Sequence, residues 1–563
     1  MMFNQPNAAS YVAEPLKLND VNELAWGDSA DVVVIGYGAA GASAALEAKA
    51  NNADVLVVER FEGGGATTLS GGIVYAGGTP YQKAAGIDDS AEEMYNYLKQ
   101  EIGDVVRSET LKRFCDDSAD NMEWLTQHGV GFGSNVYNRK RSYPPKGYDI
   151  YYSGNESAPK FADIAKLAPR GHRASGKGYT GEELFDALSQ SAEQKGVRVT
   201  RHTIAKRLVV DANNTVVGIE VTRLPLESEA RKEHQKIIKK VNGFDRFVEK
   251  KALAAAEKAR AVEAEGGETV YIRATKAVVL TTGSFAFNRE MVRHYAPKFG
   301  EAMALGTISC DGSGVLLGQS VGAAVGSMDS VTAWRSISPS EDFVKAIVVN
   351  KEGRRFISED TYLGHLGNEM ANQTDQRAWI IIDSGTYWNA YKETIPRWGE
   401  ESYIEFRGPL LLNLLFNSAR GSSLKHLAEK IGVDPSGLEA EVTSYNESVN
   451  AGSDRFDKKP VNCRVLREGA YFAIDISVGS KKFLCPTIPM GGLAVDEDSG
   501  HVLQEDGSQI AGLYAAGRAA VGIPSGFYVS GSSIADCVFS GRRAGRNAAG
   551  AGLNNNVNKV ESV

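Results

Sequence analysis

The sequence has few cysteines and none in a spacing that carries chemistry. Its five cysteines are scattered over 563 residues and include no Cys-x-x-Cys pair. This pattern excludes a disulfide framework and a thiolate metal site. The eight histidines also lack the spacing of metal ligands, so we predict no metal ion.

Long apolar runs and an excess of positive charge are missing as well. No run of about 18 apolar residues occurs, which predicts no membrane-spanning helix. Residues 1–30 lack the basic flank and apolar stretch of a signal peptide, and we interpret them as an N-terminal arm. The 62 Lys+Arg and 70 Asp+Glu give a net charge of −8, which argues against a nucleic-acid partner. We therefore expect a cytoplasmic protein.

Glycine is the residue present in excess, with 60 copies. The first cluster follows an apolar run at 32–35 that is typical of a buried parallel strand. It has G-x-G-x-x-G spacing, formed by Gly36, Gly38 and Gly41. In this motif the first glycine allows a tight turn, the second lets a pyrophosphate approach the backbone, and the third permits close helix–strand packing. The N-terminus of the helix that follows would face the phosphates.

A second strand completes this unit. The apolar run 55–58 ends at Glu59, 23 residues after Gly36. An acidic side chain at this place accepts hydrogen bonds from ribose hydroxyls. Because strand, helix, second strand and acid are in register, the sequence predicts a bound dinucleotide rather than a structural turn.

Three later segments indicate that the dinucleotide is FAD. A loop rich in glycine and hydroxyl residues spans 60–80, a strand runs into a Thr-Gly-Ser turn at 277–288, and another strand ends in Ala-Ala-Gly at 510–520. We expect FAD contacts from Gly36, Gly38, Ala39, Ala40, Gly41, Glu59, Arg60, Ala66, Thr67, Thr68, Ser70, Gly71, Gly72, Thr282, Gly283, Ala516, Gly517, Ser533 and Ile534.

The spacing of these segments predicts an α/β fold with a split domain. A Rossmann-like FAD-binding domain would comprise residues 31–285 and 475–563, and an inserted α+β cap domain, residues 286–474, would cover the flavin and bind the substrate. Apolar spacing between 420 and 453 predicts cap helices.

A charged inset lies within the first part of the FAD-binding domain. Residues 227–265 are rich in Lys, Glu and Ala and stand between two strand-like segments. We predict one or two helices projecting from a hairpin. A solvated surface feature is the favoured interpretation, and a peripheral contact with a membrane or another protein is the alternative.

The order of the motifs resembles one flavoprotein superfamily over nearly the whole chain. GYGAAG, TTLSGG, TTGS, CDGSG, RRFISED, PMGG, LYAAG and GSSIADCVFSGRRAG follow one another between Asp31 and Gly545, as in the fumarate reductase/succinate dehydrogenase flavoproteins. Within this superfamily the chain looks most like the 3-ketosteroid dehydrogenases. The resemblance implies non-covalent FAD, because the loop 67–72 has no histidine where covalent members attach their flavin.

The residues that hold a dicarboxylate in fumarate reductases are absent. Leu363 and Tyr528 stand where the resemblance calls for arginines, and the segment 485–490 lacks the histidine expected before Met-Gly-Gly. A pocket without these partners cannot compensate for desolvating two carboxylates. The replacements suit a neutral, hydrophobic ketone, so we expect a steroid substrate.

Two classes of ketosteroid dehydrogenase then compete. Tyr528-Val529-Ser530, together with Tyr362, is similar to the 3-keto-5α-steroid Δ4-dehydrogenases. The resemblance implies that the Tyr528 hydroxyl binds the C3 oxygen, that Ser530 takes the C4 proton, and that Tyr362 relays it toward solvent. A 3-ketosteroid Δ1-dehydrogenase and a fumarate reductase-like enzyme for another unsaturated substrate stay open as alternatives. The electron acceptor and the oligomeric state are not predicted.

Overall fold

The computed structural model describes residues 12–140, 143–243, 245, 248–335, 337, 340–395 and 404–550. Within these ranges no helix is both long and apolar enough to cross a membrane. The ends of the chain that belong to the predicted N-terminal arm (1–11) and to the second FAD-binding segment (551–563) lie outside the described residues.

The strands are, in chain order, β1 (Leu16–Lys17), β2 (Asp28–Ile35), β3 (Val55–Val58), β4 (Ile73–Tyr75), β5 (Val136–Lys140), β6 (Ile150–Tyr152), β7 (Gly171–Arg173), β8 (Arg198–Thr200), β9 (Thr203–Val210), β10 (Val216–Arg223), β11 (Glu268–Leu280), β12 (Met303–Ala304), β13 (Val325–Gly326), β14 (Val331–Ala333), β15 (Ile347–Val349), β16 (Trp379–Asp383), β17 (Ser418–Gly421), β18 (Tyr471–Asp475), β19 (Pro486–Pro489), β20 (Gly492–Leu493), β21 (His501–Leu503) and β22 (Gln509–Ala515).

The α-helices are α1 (Ala39–Ala50), α2 (Gly65–Thr68), α3 (Pro80–Ala84), α4 (Ala91–Ile102), α5 (Ser108–Asp116), α6 (Ser118–Gln127), α7 (Gly181–Gln194), α8 (Glu229–Val241), α9 (Glu249–Gly266), α10 (Arg289–Tyr295), α11 (Ser313–Ser320), α12 (Leu363–Ala371), α13 (Ser384–Glu393), α14 (Ile404–Phe416), α15 (Leu424–Ile431), α16 (Pro435–Asn450) and α17 (Ser532–Gly550).

A large mixed sheet carries the predicted dinucleotide unit. Its main path runs β1-β9-β10-β11-β2-β3-β8, and β22 joins at β11. β2, β3 and β8 are parallel, as βαβ connections require. The strand, helix and second strand predicted at the start of the chain are all present, and the α/β fold is confirmed.

The strand β11 links two parts of this sheet. Its first half pairs antiparallel with β10, and its last three residues pair in parallel with β22. The strand leading into the Thr-Gly-Ser turn and the strand ending in Ala-Ala-Gly therefore lie side by side, although more than 200 residues separate them in the sequence. Their carboxyl ends meet beside the turn after β2.

Two helices cover one face of the parallel strands. α1 is buried over most of its length and packs closely against α17. The small side chains of α1 allow this close approach, because alanine occupies positions that larger residues would hold apart. α1 is thereby fixed with its N-terminus at the carboxyl edge of the sheet.

The inserted region forms its own antiparallel sheet. Its order is β15-β16-β18-β17, and apolar clusters lie against both faces. α13 and α14 pack on one side, and α15 and α16 on the other. The last two are the helices predicted from the apolar spacing between 420 and 453.

The N-terminal arm and the charged inset both join the large sheet. β1, within the predicted arm, pairs in parallel with β9. The inset forms α8 and α9, two helices as predicted, between β10 and β11. The expectation of a solvated projection is wrong for their inner face, because His234, Ala252 and Ala259 are fully buried.

Candidate active site and cofactor cleft

One long cavity connects the predicted cofactor and substrate residues. Its volume is about 1480 Å³, and it extends from the N-terminus of α1 to the loop that precedes α17. We call the part around Gly38 and Glu59 the dinucleotide end and the part around Tyr528 the apolar end.

The dinucleotide end presents the N-terminus of α1 and an unpaired hydroxyl. Gly38 stands at the N-terminus of α1, and the next amide, of Ala39, donates to Thr67 Oγ1 at 3.1 Å. Thr282 Oγ1 lines the cavity, is buried, and has no hydrogen-bond partner within the described part of the chain. A helix N-terminus beside a buried hydroxyl in need of a partner fits the pyrophosphate of FAD.

Most of the predicted FAD contacts lie on this wall. The lining residues among them are Gly36, Gly38, Ala39, Ala40, Glu59, Arg60, Ala66, Thr67, Ser70, Gly71, Thr282, Gly283, Ser533 and Ile534. The residues behind the wall are Gly41, Thr68, Gly72, Ala516 and Gly517.

These five residues contact protein, and their assignment to FAD stays a prediction. A Cβ on Gly41 would lie 2.0 Å from the Gly36 carbonyl oxygen, and one on Gly72 would lie 2.5 Å from Thr180. Thr68 Oγ1 donates to the Gly65 carbonyl. The amides of Ala516 and Gly517 donate to the Leu280 carbonyl and Ser540 Oγ, respectively.

Glu59 has a structural role that its motif did not predict. It is buried, and its carboxylate accepts hydrogen bonds from the amides of Tyr37 at 2.8 Å and Phe61 at 2.7 Å. Burial raises the pKa of Glu59, and these two amides oppose the shift. Each oxygen retains acceptor capacity toward the cavity, so the ribose contact stays compatible with the geometry.

Arg60 lines the cavity but its guanidinium is committed elsewhere. Arg60 forms two hydrogen bonds with Glu263 of α9, at 2.8 and 3.1 Å, and a third with Asp311 at 2.7 Å. With its charge balanced by two carboxylates, Arg60 is not available as a phosphate ligand. It holds the inset against the cofactor cleft instead.

The loop before α17 is fixed at the apolar end by two short strands. The Tyr75 amide of β4 donates to the Gly531 carbonyl at 3.2 Å, and Ser153 Oγ donates to the Ser530 carbonyl at 2.9 Å. Gly531 has φ +96°, and a Cβ there would meet Ile73 at 2.8 Å. Glycine is therefore required for the loop to place Tyr528 and Ser530 side by side.

A third hydroxyl, that of Tyr151 on β6, lies near Tyr528 and Ser530 and makes no hydrogen bond of good geometry within the described residues. Burial raises the pKa of the Tyr528 hydroxyl, while the Gly531 amide and the Ser530 side chain oppose the shift. Burial also raises the pKa of Tyr151, and Ser530 again opposes it. Both tyrosines are thus held in the protonated form beside Ser530, where they can donate or pass on a proton.

Tyr362 lies behind this group rather than on the cavity wall. Its hydroxyl is buried near Trp334 and Tyr528, and makes no hydrogen bond of good geometry within the described residues. Burial raises the pKa of Tyr362, and the Tyr362 amide donates to Asn155 Oδ1 at 2.6 Å. Because its side chain is only 2% exposed, a relay from Tyr362 toward solvent needs a further group beyond it.

The surroundings of Tyr528 at the apolar end are mostly hydrophobic. The Trp334 ring lies 6.2 Å from the Tyr528 ring. Further side chains that line this end are Met303, Leu305, Leu363, Leu412, Phe483, Leu484, Ile488 and Met490. Arg518 is the described lining residue whose positive charge acts on Tyr528, and it reaches Ser284 Oγ at 3.5 Å. Lys481 and Lys482 also line the cavity, next to Phe483.

Sequence reasoning missed several residues of this site. Tyr151 and Trp334 lie in no recognised motif, and only the folded chain brings them to Tyr528. Arg518 follows the Ala-Ala-Gly motif directly, so its position offered a signal. Among the described residues no three His, Cys, Asp or Glu side chains are grouped as a metal site requires.

Comparison with known proteins assigns this architecture. The family described as "FAD binding domain" matches residues 31–534. The chain belongs to this flavoprotein family. It is 36% identical over 516 residues to the 3-oxo-5-alpha-steroid 4-dehydrogenase of Comamonas testosteroni, covering 90% of this chain and 96% of that protein. It is 25% identical to the 3-oxosteroid 1-dehydrogenase of Mycobacterium tuberculosis, over 87% of this chain and 92% of that one.

A solved structure shares its fold with this chain, and its name gives the same substrate class as that of the first relative. The crystal structure of 3-ketosteroid-Δ4-(5α)-dehydrogenase from Rhodococcus jostii RHA1, in complex with 4-androstene-3,17-dione, superposes with a TM-score of 0.79. It is 31% identical in sequence and covers 95% of this chain and all of that chain. The predicted cofactor, FAD, is confirmed by the family.

Proposed function

We propose that this chain is an FAD-dependent dehydrogenase that introduces the C4–C5 double bond into 3-keto-5α-steroids. The observation that carries the proposal is the pair Tyr528 and Ser530 at the apolar end of the same cavity whose other end fits a dinucleotide. The Δ4 relatives, at 36% and 31% identity, support the Δ4 class over the more distant Δ1 relative.

The apolar lining supports a steroid as the substrate. A 3-ketosteroid has a rigid hydrocarbon body with a ketone oxygen at C3 and few other polar atoms, so its binding gains from apolar contact along most of its length. The cavity provides this contact on several sides and one group of hydroxyls near Tyr528. A dicarboxylate would instead need cations directed at both carboxylates, and Arg518 is the described residue whose positive charge acts on Tyr528.

Tyr528 is proposed to bind the C3 ketone oxygen. Removal of the C4 proton places negative charge on this oxygen, so a hydroxyl that donates to it stabilises the developing enolate. The raised pKa of Tyr528 keeps its hydroxyl protonated and able to donate at neutral pH. When bound, FAD supplies the acceptor for the hydride that leaves C5.

Ser530 is proposed to take the C4 proton with help from its neighbours. A serine hydroxyl is a weak base, so its own proton must pass to another oxygen as it accepts one from carbon. Tyr151 and Tyr528 are the hydroxyls beside Ser530. Tyr362 lies behind Tyr528 and Tyr151 and is proposed to extend this relay.

Anaerobic titration of the FAD-loaded protein tests this proposal. We expect 5α-androstane-3,17-dione to bleach the flavin absorbance near 450 nm in the absence of oxygen. The matched control, 5α-androstan-17-one, lacks the C3 ketone and should not bleach it. If 5α-androstane-3,17-dione leaves the flavin oxidised while fumarate reoxidises the reduced protein rapidly, the steroid assignment is wrong and the reductase alternative holds.

A membrane contact through the outer face of the inset stays a separate prediction. Cosedimentation of the protein with anionic phospholipid vesicles tests it, because the exposed lysines of α8 would supply the attraction. An equal amount of protein in the pellet with and without vesicles would contradict the membrane contact.

A further inference from the structure

The charged inset is attached to the cofactor cleft rather than only to the surface. The last turns of α9 line the dinucleotide end of the cavity through Arg260, Ala261, Glu263 and Ala264. Opposite them, the same part of the cavity is lined by residues 203–206 of β9. We call the space between these two walls the slot.

The position of Glu59 indicates which part of FAD would enter this slot. In a unit of this kind the pyrophosphate lies at the helix N-terminus, and the acid after the second strand meets the adenosine ribose. The slot lies beside Glu59 and Arg60, because Arg60 binds Glu263 of α9 and the Glu59 carbonyl accepts a hydrogen bond from the Thr203 amide of β9. The adenine ring therefore lies where α9 and β9 face each other.

The side chains of α9 suit a flat aromatic base. Ala261 and Ala264 are small and leave open space on the cavity side of the helix. Arg260 is partly buried at the same wall, and a guanidinium can stack on an aromatic ring. Thr203 and Thr269 add hydroxyls on the sheet side.

A buried network holds α9 in this position. Glu263 is bound by Arg60 and by His234 Nε2, the latter at 2.9 Å. Although burial opposes it, the Arg60 charge and the two hydrogen bonds lower the pKa of Glu263 to about 2. The network continues to His202, whose Nδ1 lies 2.9 Å from His234 Nδ1.

A contact between two aromatic rings joins the same network to Phe61, two residues after Glu59. The Phe61 ring stacks on His234 with 4.8 Å between the ring centres and an angle of 13°. Three successive residues therefore make three different contacts. Glu59 lies at the ribose end of the cleft, Arg60 binds Glu263 of α9, and Phe61 packs on His234 in the inset. A displacement of α9 would open the slot and disturb all three.

We propose that α9 forms the outer wall of the adenosine site of FAD, and that Glu263, held by Arg60 and His234, is the latch that keeps this wall closed. Glu263 is a positioning residue, and Ala261 and Ala264 bound the site itself. The proposal rests on the cofactor cleft and is independent of the substrate, so its test uses no steroid.

Two variants with matched controls test the wall and the latch. Ala264→Leu fills the slot, whereas Ala254→Leu places the same side chain on an exposed part of α9 away from the cavity. Glu263→Gln weakens the latch, whereas Glu265→Gln removes an exposed charge on the same helix. The measurements are FAD and ADP affinity of the apoprotein and the FAD dissociation rate of the holoprotein.

We expect Ala264→Leu to weaken both FAD and ADP binding by about 100-fold, because ADP keeps the adenosine and pyrophosphate of FAD and lacks only the flavin part. Glu263→Gln should raise the FAD dissociation rate about tenfold, the effect of about 1.4 kcal/mol. Both controls should stay within twofold of the unchanged protein. Unchanged FAD and ADP affinity in Ala264→Leu would overturn the site, and equal dissociation rates in the two glutamine variants would overturn the latch.

Discussion

Substitution of Gly38 separates cofactor binding from folding. A Cβ at this position would lie 3.5 Å from both the Gly64 carbonyl oxygen and Thr67 Oγ1, which is ordinary van der Waals contact. The backbone of Gly38, with φ −98°, is accessible to alanine. Gly38→Ala should therefore leave the free energy of unfolding of the apoprotein within about 1 kcal/mol of its original value.

The same methyl group should be incompatible with the pyrophosphate. It would occupy the space through which the phosphates approach the first amides of α1. Loss of two charge-assisted hydrogen bonds, at about 1.5–3 kcal/mol each, raises the Kd of FAD by roughly 10²–10⁴-fold. Gly38→Val extends further into the cleft and should abolish flavin retention.

Gly41 provides the contrasting variant on the same turn. A Cβ on Gly41 would lie 2.0 Å from the Gly36 carbonyl oxygen and 2.9 Å from Thr281 Oγ1, so α1 would have to move off the sheet. Gly41→Ala should lower the melting temperature of the apoprotein, which Gly38→Ala should not. The assays are thermal unfolding by circular dichroism and FAD titration of the apoprotein. Gly38→Ala purified with full flavin and unchanged Kd would refute the assignment of this turn to the pyrophosphate.

Four further predictions concern the active site, the flavin and pH. Tyr528→Phe should lower kcat by roughly 10²–10³ with the flavin content unchanged, the scale of one lost oxyanion donor, and near-normal turnover would remove Tyr528 from its role. Ser530→Ala and Tyr151→Phe should each slow single-turnover flavin reduction while still binding the product. Their double variant should be little slower than the worse single variant, and additive losses would show independent roles. Acid or heat precipitation should release yellow flavin into the supernatant, and flavin that stays with the pellet would disprove non-covalent binding. Burial raises the pKa of Asp536 to about 6, so its contribution to stability is present below pH 4 and lost as the pH rises through 6. At pH 8 the free energy of unfolding of Asp536→Asn should therefore exceed that of the unchanged chain by up to about 3 kcal/mol, and this difference should shrink toward pH 4. An equal difference at both pH values would contradict this.

The parts of the fold that sequence could predict are those with a local signal. The run 32–35, the glycines after it and Glu59 lie within one βαβ unit, where periodicity and turn residues act over a few positions. The Tyr528-x-Ser530 pair is similarly compact, and both side chains reach the cavity as the motif implied.

The parts that could not be predicted depend on contacts between distant residues. Arg60 was assigned to FAD because it follows Glu59, but its partners Glu263 and Asp311 stand 203 and 251 positions away. The hydrogen bond from Ser153 to Ser530 joins residues 377 positions apart, and Tyr151 lies on β6, the strand that ends just before Ser153. Charge pairing and burial of this kind arise only after the sheets have packed, so a motif cannot reveal them.

The inset also shows that local sequence does not predict contacts between distant residues. Its composition predicted helices correctly, yet Lys- and Glu-rich sequence also predicted a solvated surface feature. Only the inner face, with His234 and Glu263 buried against Arg60, reveals its attachment to the cofactor cleft. Amphipathic periodicity indicates that a helix has a buried side, but it does not indicate which surface covers that side.

The position of the new double bond in the product tests the central claim most directly. The protein would be supplied with 5α-androstane-3,17-dione and an artificial electron acceptor, and the steroid product would be examined by proton NMR. The proposed C4 deprotonation by Ser530, with Tyr528 on the C3 oxygen, predicts one vinylic proton, at C4. Two coupled vinylic protons, at C1 and C2, would contradict the account and identify a Δ1-dehydrogenase.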